Sequence, residues 1–431
     1  MKFTIDREEY SRVLKLVKVV ADMSVKPTKE NYTCLLRLIP SEKKFILDFA
    51  LQGAFLSYSF VDFTIDDIED TTSSEIRRSL NLSSLYALKF SGKTITIELG
   101  ENREGNTISF SSGKLKGKLV ISHENIEKEI ENRRPDPNKI ELTHQFSIAD
   151  FLKALSGHSY GAHSPAFDNT KKPTRIKSVG DQIVFESKDR NAGARIAKPA
   201  AFPIKEPFSF YVLPIPLCST LAALEKMDSD EFHFGISKDC WRLYHGSVDI
   251  WIPNIVHACV IDFDELHGAT NSMPCFAIIA QPKEFKGAID ELLPFITSAL
   301  LDPDERAAFV KLEVKEGEVF FTLQTNKAKD VQVKLEKGIF RCPIMTDPND
   351  SMKSVVLEDS TPLRLDLRYL NDAYAGIIKN INQKDENPIE IKYWPYKGSK
   401  YPTQGRAFCV TGGDNHYWIA RMAVREETKH V

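Results

Sequence analysis

Residues 208–263 read FSFYVLPIPLCSTLAALEKMDSDEFHFGISKDCWRLYHGSVDIWIPNIVHACVIDF. An apolar run, Phe208–Leu213, leads into Leu217, Leu221 and Leu224, whose three- and four-residue spacing predicts a helix. A charged turn follows. Three short runs then close the unit, Glu231–Ile236, Trp241–His245 and Val248–Val256, and these read as strands. The order strand–helix–strand–strand–strand organises the whole chain, because it is written again on either side.

Upstream, Leu82, Leu85 and Leu88 mark a helix, followed by TITIEL (94–99), NTISFSS (106–112) and GKLKGKLVIS (113–122). In TITIEL the alternation of Ile95, Ile97 and Leu99 is that of a half-buried strand. Downstream, LRLDLRYLNDAYAGII (363–378) precedes PIEIKY (388–393), RAFCVTG (406–412) and NHYWIARMAV (415–424). Each of these blocks has a matching first half. Phe3-Thr4-Ile5, Phe146-Ser147-Ile148 and Phe276-Ala277-Ile278 each open onto an amphipathic helix. The apolar stripes are Tyr10, Val13, Leu14, Val17, Val20 and Ala21 in the first, Ile148, Phe151, Leu152 and Leu155 in the second, and Phe285, Ala288, Ile289 and Leu292 in the third. Ser147 and Asp150 have capping-box spacing. Strands near Phe45–Phe49, Ile183–Phe185 and Val310–Thr322 belong to these first halves. Each unit is therefore βαβββ written twice, an α+β layer with two helices on a sheet face. The expected domains are 1–123, 146–263 and 275–425, the last with a hairpin insertion. The polar connectors 124–145 and 264–274 read as linkers, and 426–431 as a frayed tail.

Composition narrows the class. A hydrophobic fraction of 42% and a charged fraction of 27% belong to a globular chain. No apolar run is long enough to span a bilayer, and the opening MKFTIDREEYSRVLKLV has no signal-peptide core, so a cytoplasmic, nucleoid-associated protein is expected. The seven cysteines, at 34, 218, 240, 259, 275, 342 and 409, form no C-x-x-C pair and read as reduced thiols. A net charge of −3 gives no sign of a general nucleic-acid binder, yet it permits one if the cations share a surface.

The helix faces turned from the core bear on this. Arg12 and Lys15 lie opposite the first stripe with Glu8 and Val19; Lys18 flanks it and Lys26 lies beyond its end. The third unit offers Lys283, Lys286, Arg368 and Lys379, and the middle unit Lys153 and Lys226. Singly, each reads as a solvated side chain. Jointly, three similar units turning such helices one way would line a concave cationic surface, which binds phosphate by counterion release without reading sequence.

The threefold pattern resembles the bacterial DNA polymerase III β subunit, the sliding clamp, over nearly the full length. The resemblance is carried by MKFTIDREEY, Lys26-Pro27-Thr28, Phe208–Phe263 and Tyr417–Met422. It implies a ring of two subunits joined head to tail around double-stranded DNA, with helices inward and sheets outward. Lys26 stands where the family has a DNA-touching arginine, and Lys171 and Lys172 lie in the place of a template-contacting loop. The family's pocket for polymerase and clamp-loader peptides would here be walled by Asp189, Arg190, Asn191, Ala192, Ile261, Leu266, Ile419, Ala420, Met422 and Val424. Two departures stand out: Ser187–Ala192 replaces a Thr-Asp-Gly-His-Arg-Leu turn, and Ala420–Val424 replaces a terminal Met-Pro-Met-Arg-Leu, with seven residues beyond.

Rival signals are local. Gly157-His158-Ser159-Tyr160-Gly161 fits G-x-S-x-G, but a nucleophile elbow needs a strand before it and a helix after, and neither period is present. His233, His245 and His257 lack zinc spacing. Gly412-Gly413-Asp414-Asn415 reads as a hairpin turn, and Tyr393, Trp394 and Tyr396 as cross-strand aromatic pairs more than base-stacking groups. The expected function is a non-enzymatic processivity factor without cofactor or metal; the alternatives are a clamp-shaped protein scaffold that does not encircle DNA, and a serine hydrolase.

Overall fold

The computed structural model describes residues 1–22, 33–51, 54–65, 75–102, 105–120, 128, 130–132, 134–157, 173–188, 192–227, 230–254, 276–299, 309–315, 318–324, 331–341, 364–380, 387–393, 407–413 and 415–420. Its elements run Lys2–Asp6 (β1), Arg7–Ala21 (α1), Thr33–Ile39 (β2), Lys44–Leu51 (β3), Ala54–Phe60 (β4), Phe63–Ile65 (β5), Ile76–Asn81 (β6), Leu82–Ala87 (α2), Thr94–Asn102 (β7), Gly105–Ser112 (β8) and Leu115–Val120 (β9). The middle repeat has His144–Ser147 (β10), Ile148–Gly157 (α3), Thr174–Val179 (β11), Gln182–Lys188 (β12), Ala192–Pro199 (β13), Ser209–Val212 (β14), Pro214–Leu224 (α4), Glu231–Ile236 (β15), Cys240–His245 (β16) and Val248–Pro253 (β17). The last has Phe276–Ala280 (β18), Pro282–Ala299 (α5), Phe309–Lys315 (β19), Glu318–Gln324 (β20), Val331–Lys334 (β21), Ile339–Arg341 (β22), Arg364–Asp366 (β23), Leu367–Asn380 (α6), Ile389–Tyr393 (β24), Ala407–Gly412 (β25) and Asn415–Ala420 (β26).

The chain is α+β, and among the described residues βαβββ is completed twice in each repeat. Two strands are extra, β5 and β22, and they occupy equivalent places: each pairs with the strand that opens its repeat, β1 or β18. The halves of a repeat exchange their opening strands. Thus β1 joins β7–β9, β6 joins β2–β4, and β23 joins β19–β21.

The chain divides into two compact units, Met1–Leu152 with Ala200–Val256, and Lys153–Pro199 with His257–Val431. The first holds a five-stranded sheet, β5-β1-β7-β8-β9, and an eight-stranded one, β10-β15-β16-β17-β4-β3-β2-β6. The second holds the run β11-β12-β13-β26-β25-β24-β18-β22 and a four-stranded sheet, β21-β20-β19-β23. The pairings are antiparallel. Two of them join different repeats: β4 with β17, where Phe55 faces Trp251, and β13 with β26, where Ala194 faces Tyr417.

Local chemistry explains the elements. The stretch at 208–253 forms strand, helix and three strands because its alternate residues fill one aromatic core. Phe146 packs on Phe151 at 4.8 Å, Phe232 at 5.6 Å and Phe208 at 5.8 Å, and Phe210 on Trp241 at 5.8 Å. Each such pair adds about 0.5–1.5 kcal/mol to its area burial. On α3 the capping spacing is realised, with Asp150 N donating to Ser147 Oγ at 3.3 Å.

Several expectations shift by a few residues. The strand expected over 113–122 starts at Leu115, because Gly113 takes φ +60° in the turn after β8. Val310–Thr322, read as one stretch, is two strands, β19 and β20. In α1 the core takes Leu16, while Leu14 is half-buried.

In the connector 124–145, described residues pack against the sheet. Ile130 and Ile140 are 0% and 3% exposed and share an apolar cluster with Leu35, Ala50, Phe55 and Trp251. Arg77 pairs with Glu131, and β10 begins inside the segment. The connector 264–274 and the tail 426–431 lie outside the described residues, as does the aromatic hairpin beyond Tyr393.

Candidate nucleic-acid interface

The first helix is built to present cations. Asp6 caps it, its Oδ1 accepting from Glu9 N at 2.7 Å, and its carboxylate suits the positive end of the helix dipole. Val13, Leu16, Val17 and Val20 are buried against the sheet, so Arg12, Lys15 and Lys18 stand on the exposed side. Tyr86 at the end of α2 lies across α1 and donates its hydroxyl to Leu14 O at 3.2 Å. Lys89, exposed just after it, adds a cation that helix patterning missed, since α2 has only six residues. Pro214–Leu224, the α4 helix, packs beside α1 and contributes no charge of its own; exposed Lys226 follows it.

Beneath this surface Glu9 is buried. Its Oε1 accepts from Tyr58 Oη at 2.9 Å and from Val61 N at 3.2 Å. Burial still raises its carboxyl pKa above the usual range, with these hydrogen bonds pulling it back.

In the second unit α5 and α6 pack together and offer fewer uncommitted cations. Lys283 and Lys379 are exposed. Lys286 pairs with Asp290 one turn along. Arg368 is held by Asp366, Nε to Oδ1 at 3.0 Å and Nη2 to Oδ2 at 2.5 Å, while the same Oδ1 accepts from Arg368 N at 2.9 Å. Asp366 thus caps α6, and Arg368 holds the cap in place. Lys153 is exposed on α3. Lys26, Lys171 and Lys172 lie outside the described residues.

Of the residues expected around a partner-peptide pocket, the β13–β26 ladder brings Ala192 opposite Ile419, with Ala420 next along the strand. Asp189, Arg190, Asn191, Ile261, Leu266, Met422 and Val424 lie outside the described residues.

No protein-family model matches the chain, and no curated protein does. Solved structures match closely in fold. A DNA polymerase sliding clamp from Bacillus subtilis superposes with a TM-score of 0.66 at 15% identity, covering 98% of this chain and 99% of that one. The beta subunit from the DNA polymerase of Streptococcus pyogenes gives 0.65 at 12%, covering 98% and 100%. The DNA polymerase III beta subunit of Thermotoga maritima gives 0.65 at 10%, covering 98% and 99%. The fold is the sliding-clamp fold. At this identity the sliding-clamp likeness is one of backbone.

The hydrolase motif loses its required setting in a sliding-clamp fold. A helix and not a strand ends at Gly157, the first residue of the motif, and Ser159 lies outside the described residues. His233 packs beside Tyr244, ring centroids 6.5 Å apart, on the β15–β16 ladder. Among the described residues no group of three or more His, Cys, Asp or Glu could hold a metal, and no helix is long and apolar enough to cross a membrane.

Proposed function

We propose that the chain is the subunit of a DNA sliding clamp: two copies join head to tail in a ring around duplex DNA, and the ring tethers a polymerase without catalysing a reaction. One observation carries this reading. Where repeats meet, the last strand of a first half pairs with the last strand of the next repeat's second half, as β4 does with β17 and β13 with β26. Among the described residues the same rule leaves one strand of each kind over. β21 ends the first half of the third repeat and β9 the second half of the first, and each is the outer strand of its sheet. A second copy satisfies both edges by the junction the chain already uses twice. Such a contact is heterologous, and it ends either in a closed ring or in a filament.

The surface chemistry supports the partner. Arg12, Lys15 and Lys18 give phosphate contacts without base readout, joined in this reading by Lys26, Lys153, Lys171, Lys172, Lys226, Lys283 and Lys379. A ring needs no tight grip, because topology prevents lateral escape. In this reading the strand pair carrying Ala192, Ile419 and Ala420 helps to form the site for apolar peptides of polymerase and loader. The protein would work at the nucleoid, in the cytoplasm.

The test uses subunits allowed to associate in the presence of nicked circular DNA, then passed over a sizing column in salt high enough to screen phosphate contacts. Protein should stay with the circle and leave once one cut linearises it. Equal retention on both forms would sink encirclement and leave a protein-binding scaffold.

A further inference from the structure

The described residues of the connector between 128 and 143 lie on the eight-stranded sheet over the seam between β4 and β17. Two aliphatic pegs hold it. Ile130 and Ile140 close over Leu35, Ala50, Phe55 and Trp251, and Phe55 and Trp251 are direct cross-strand neighbours on that seam. Two polar ties accompany them among the described residues. Glu131 pairs with Arg77 in an ion pair exposed on both sides, 39% and 41%. Arg242 donates from Nη1 to Ile140 O at 3.3 Å, while its Nε and Nη2 hold Asp249 at 2.9 and 2.8 Å and its guanidinium lies 4.8 Å above the Trp251 ring. Gly235 on β15 makes room for the crossing. A Cβ there would run into Glu141 O and meet Ile140 Cγ2 at 2.7 Å. Between the pegs, Arg134, Asp136, Asn138 and Lys139 are exposed, and Pro135 and Pro137 have no N–H to offer a ladder.

This is an attachment by points. A strand added to a sheet is held at every second residue along its length, whereas the described residues here are held chiefly at Ile130 and Ile140, over an apolar patch that straddles two repeats. We infer that residues 134–143, together with Ile130, are a releasable latch on the β4–β17 seam. Closed, it covers the patch and holds the two repeats' strands as one stiff sheet. Open, it bares Leu35, Ala50, Phe55 and Trp251 and leaves the seam to its ladder hydrogen bonds alone. The ion pair has little part in this, so the latch responds to loss of its pegs and hardly to salt. The inference does not depend on DNA binding.

Cys240 reports on the latch. It is half-buried against the peg cluster, while Cys34 on β2 is fully buried and reports global opening. In the full-length protein, Ile140→Ser, which removes a peg, and Gly235→Ala, which crowds Glu141 O and Ile140 from the sheet side, should each speed maleimide labelling of Cys240 about tenfold, with matching gains in amide exchange in β4 and β17. Cys34 labelling and exchange in β12 and β13 should stay at the parent rates. Unchanged Cys240 labelling in a folded variant overturns the latch, and so does a parallel rise at Cys34. Should either variant fail to fold, the parent decides. In sub-denaturing urea Cys240 labelling should rise with a shallower urea dependence than Cys34, and identical slopes would reject local release.

Discussion

At the residue scale, Glu9 is the group to titrate. Its folded pKa lies above the usual 4.5 because burial disfavours the carboxylate. A group shifted this way contributes stability that is fully present below the unfolded pKa and is lost as pH rises through the folded one. Glu9→Gln keeps an acceptor for Tyr58 and Val61 and removes the titration. Its stability relative to the parent, read from urea midpoints, should therefore improve from acid toward neutral pH; a constant difference would show that Glu9 ionises in the fold as freely as outside it. Gly376 makes a second case. A Cβ there would sit on the Tyr417 hydroxyl, so Gly376→Ala should cost about 1–2 kcal/mol in urea unfolding despite the better helix propensity of alanine. Neither residue was legible beforehand. A glutamate in a helix's first turn reads as solvated, and only Tyr58, 49 residues along, reveals that it is buried.

At the element scale, the helices divide by what their cations already touch. Lys15→Glu with Lys18→Glu on α1 should weaken DNA association and lower the slope of log K against log salt by roughly one for each phosphate no longer neutralised. Arg368→Ala should leave that slope alone and instead destabilise α6 by about 1–2 kcal/mol, because its guanidinium serves the Asp366 cap. A loss of DNA affinity as large as that from α1 would return Arg368 to the interface. Helices and strands were readable from period, since leucines three and four apart and alternating isoleucines follow directly from local geometry. The packing of Ile130 and Ile140 within the segment 124–145 was not legible, for an equally physical reason. The segment's charges dominate the composition, and two isoleucines ten residues apart are too sparse to display a period, although both pack into one apolar cluster. The short β5 and β22 were missed because three residues carry no measurable alternation.

At the scale of the whole molecule, the threefold recurrence was legible and the strand exchange was not, because pairing partners far apart leave no mark on local sequence. The ring reading adds a structural expectation. In an edge strand successive N–H groups point alternately toward the neighbouring strand and away from it. Of Gln332→Pro and Val333→Pro, the one whose N–H points outward should keep the β21 fold and abolish self-association, seen as a fall from two-subunit to one-subunit mass in sedimentation. Retention of the larger mass by a well-folded proline variant would move the contact away from β21.

The two strand ladders that stitch repeats together have an outcome for anyone dissecting the protein. Cut out by itself, the central third would surrender a neighbour on both flanks, leaving β13 and β17 as raw hydrogen-bonding margins beside Ile196, Ile250 and Trp251. Such a fragment should precipitate where the intact polypeptide does not. Evolution, for the same reason, would find this protein easier to lengthen by whole repeats than to shorten by one.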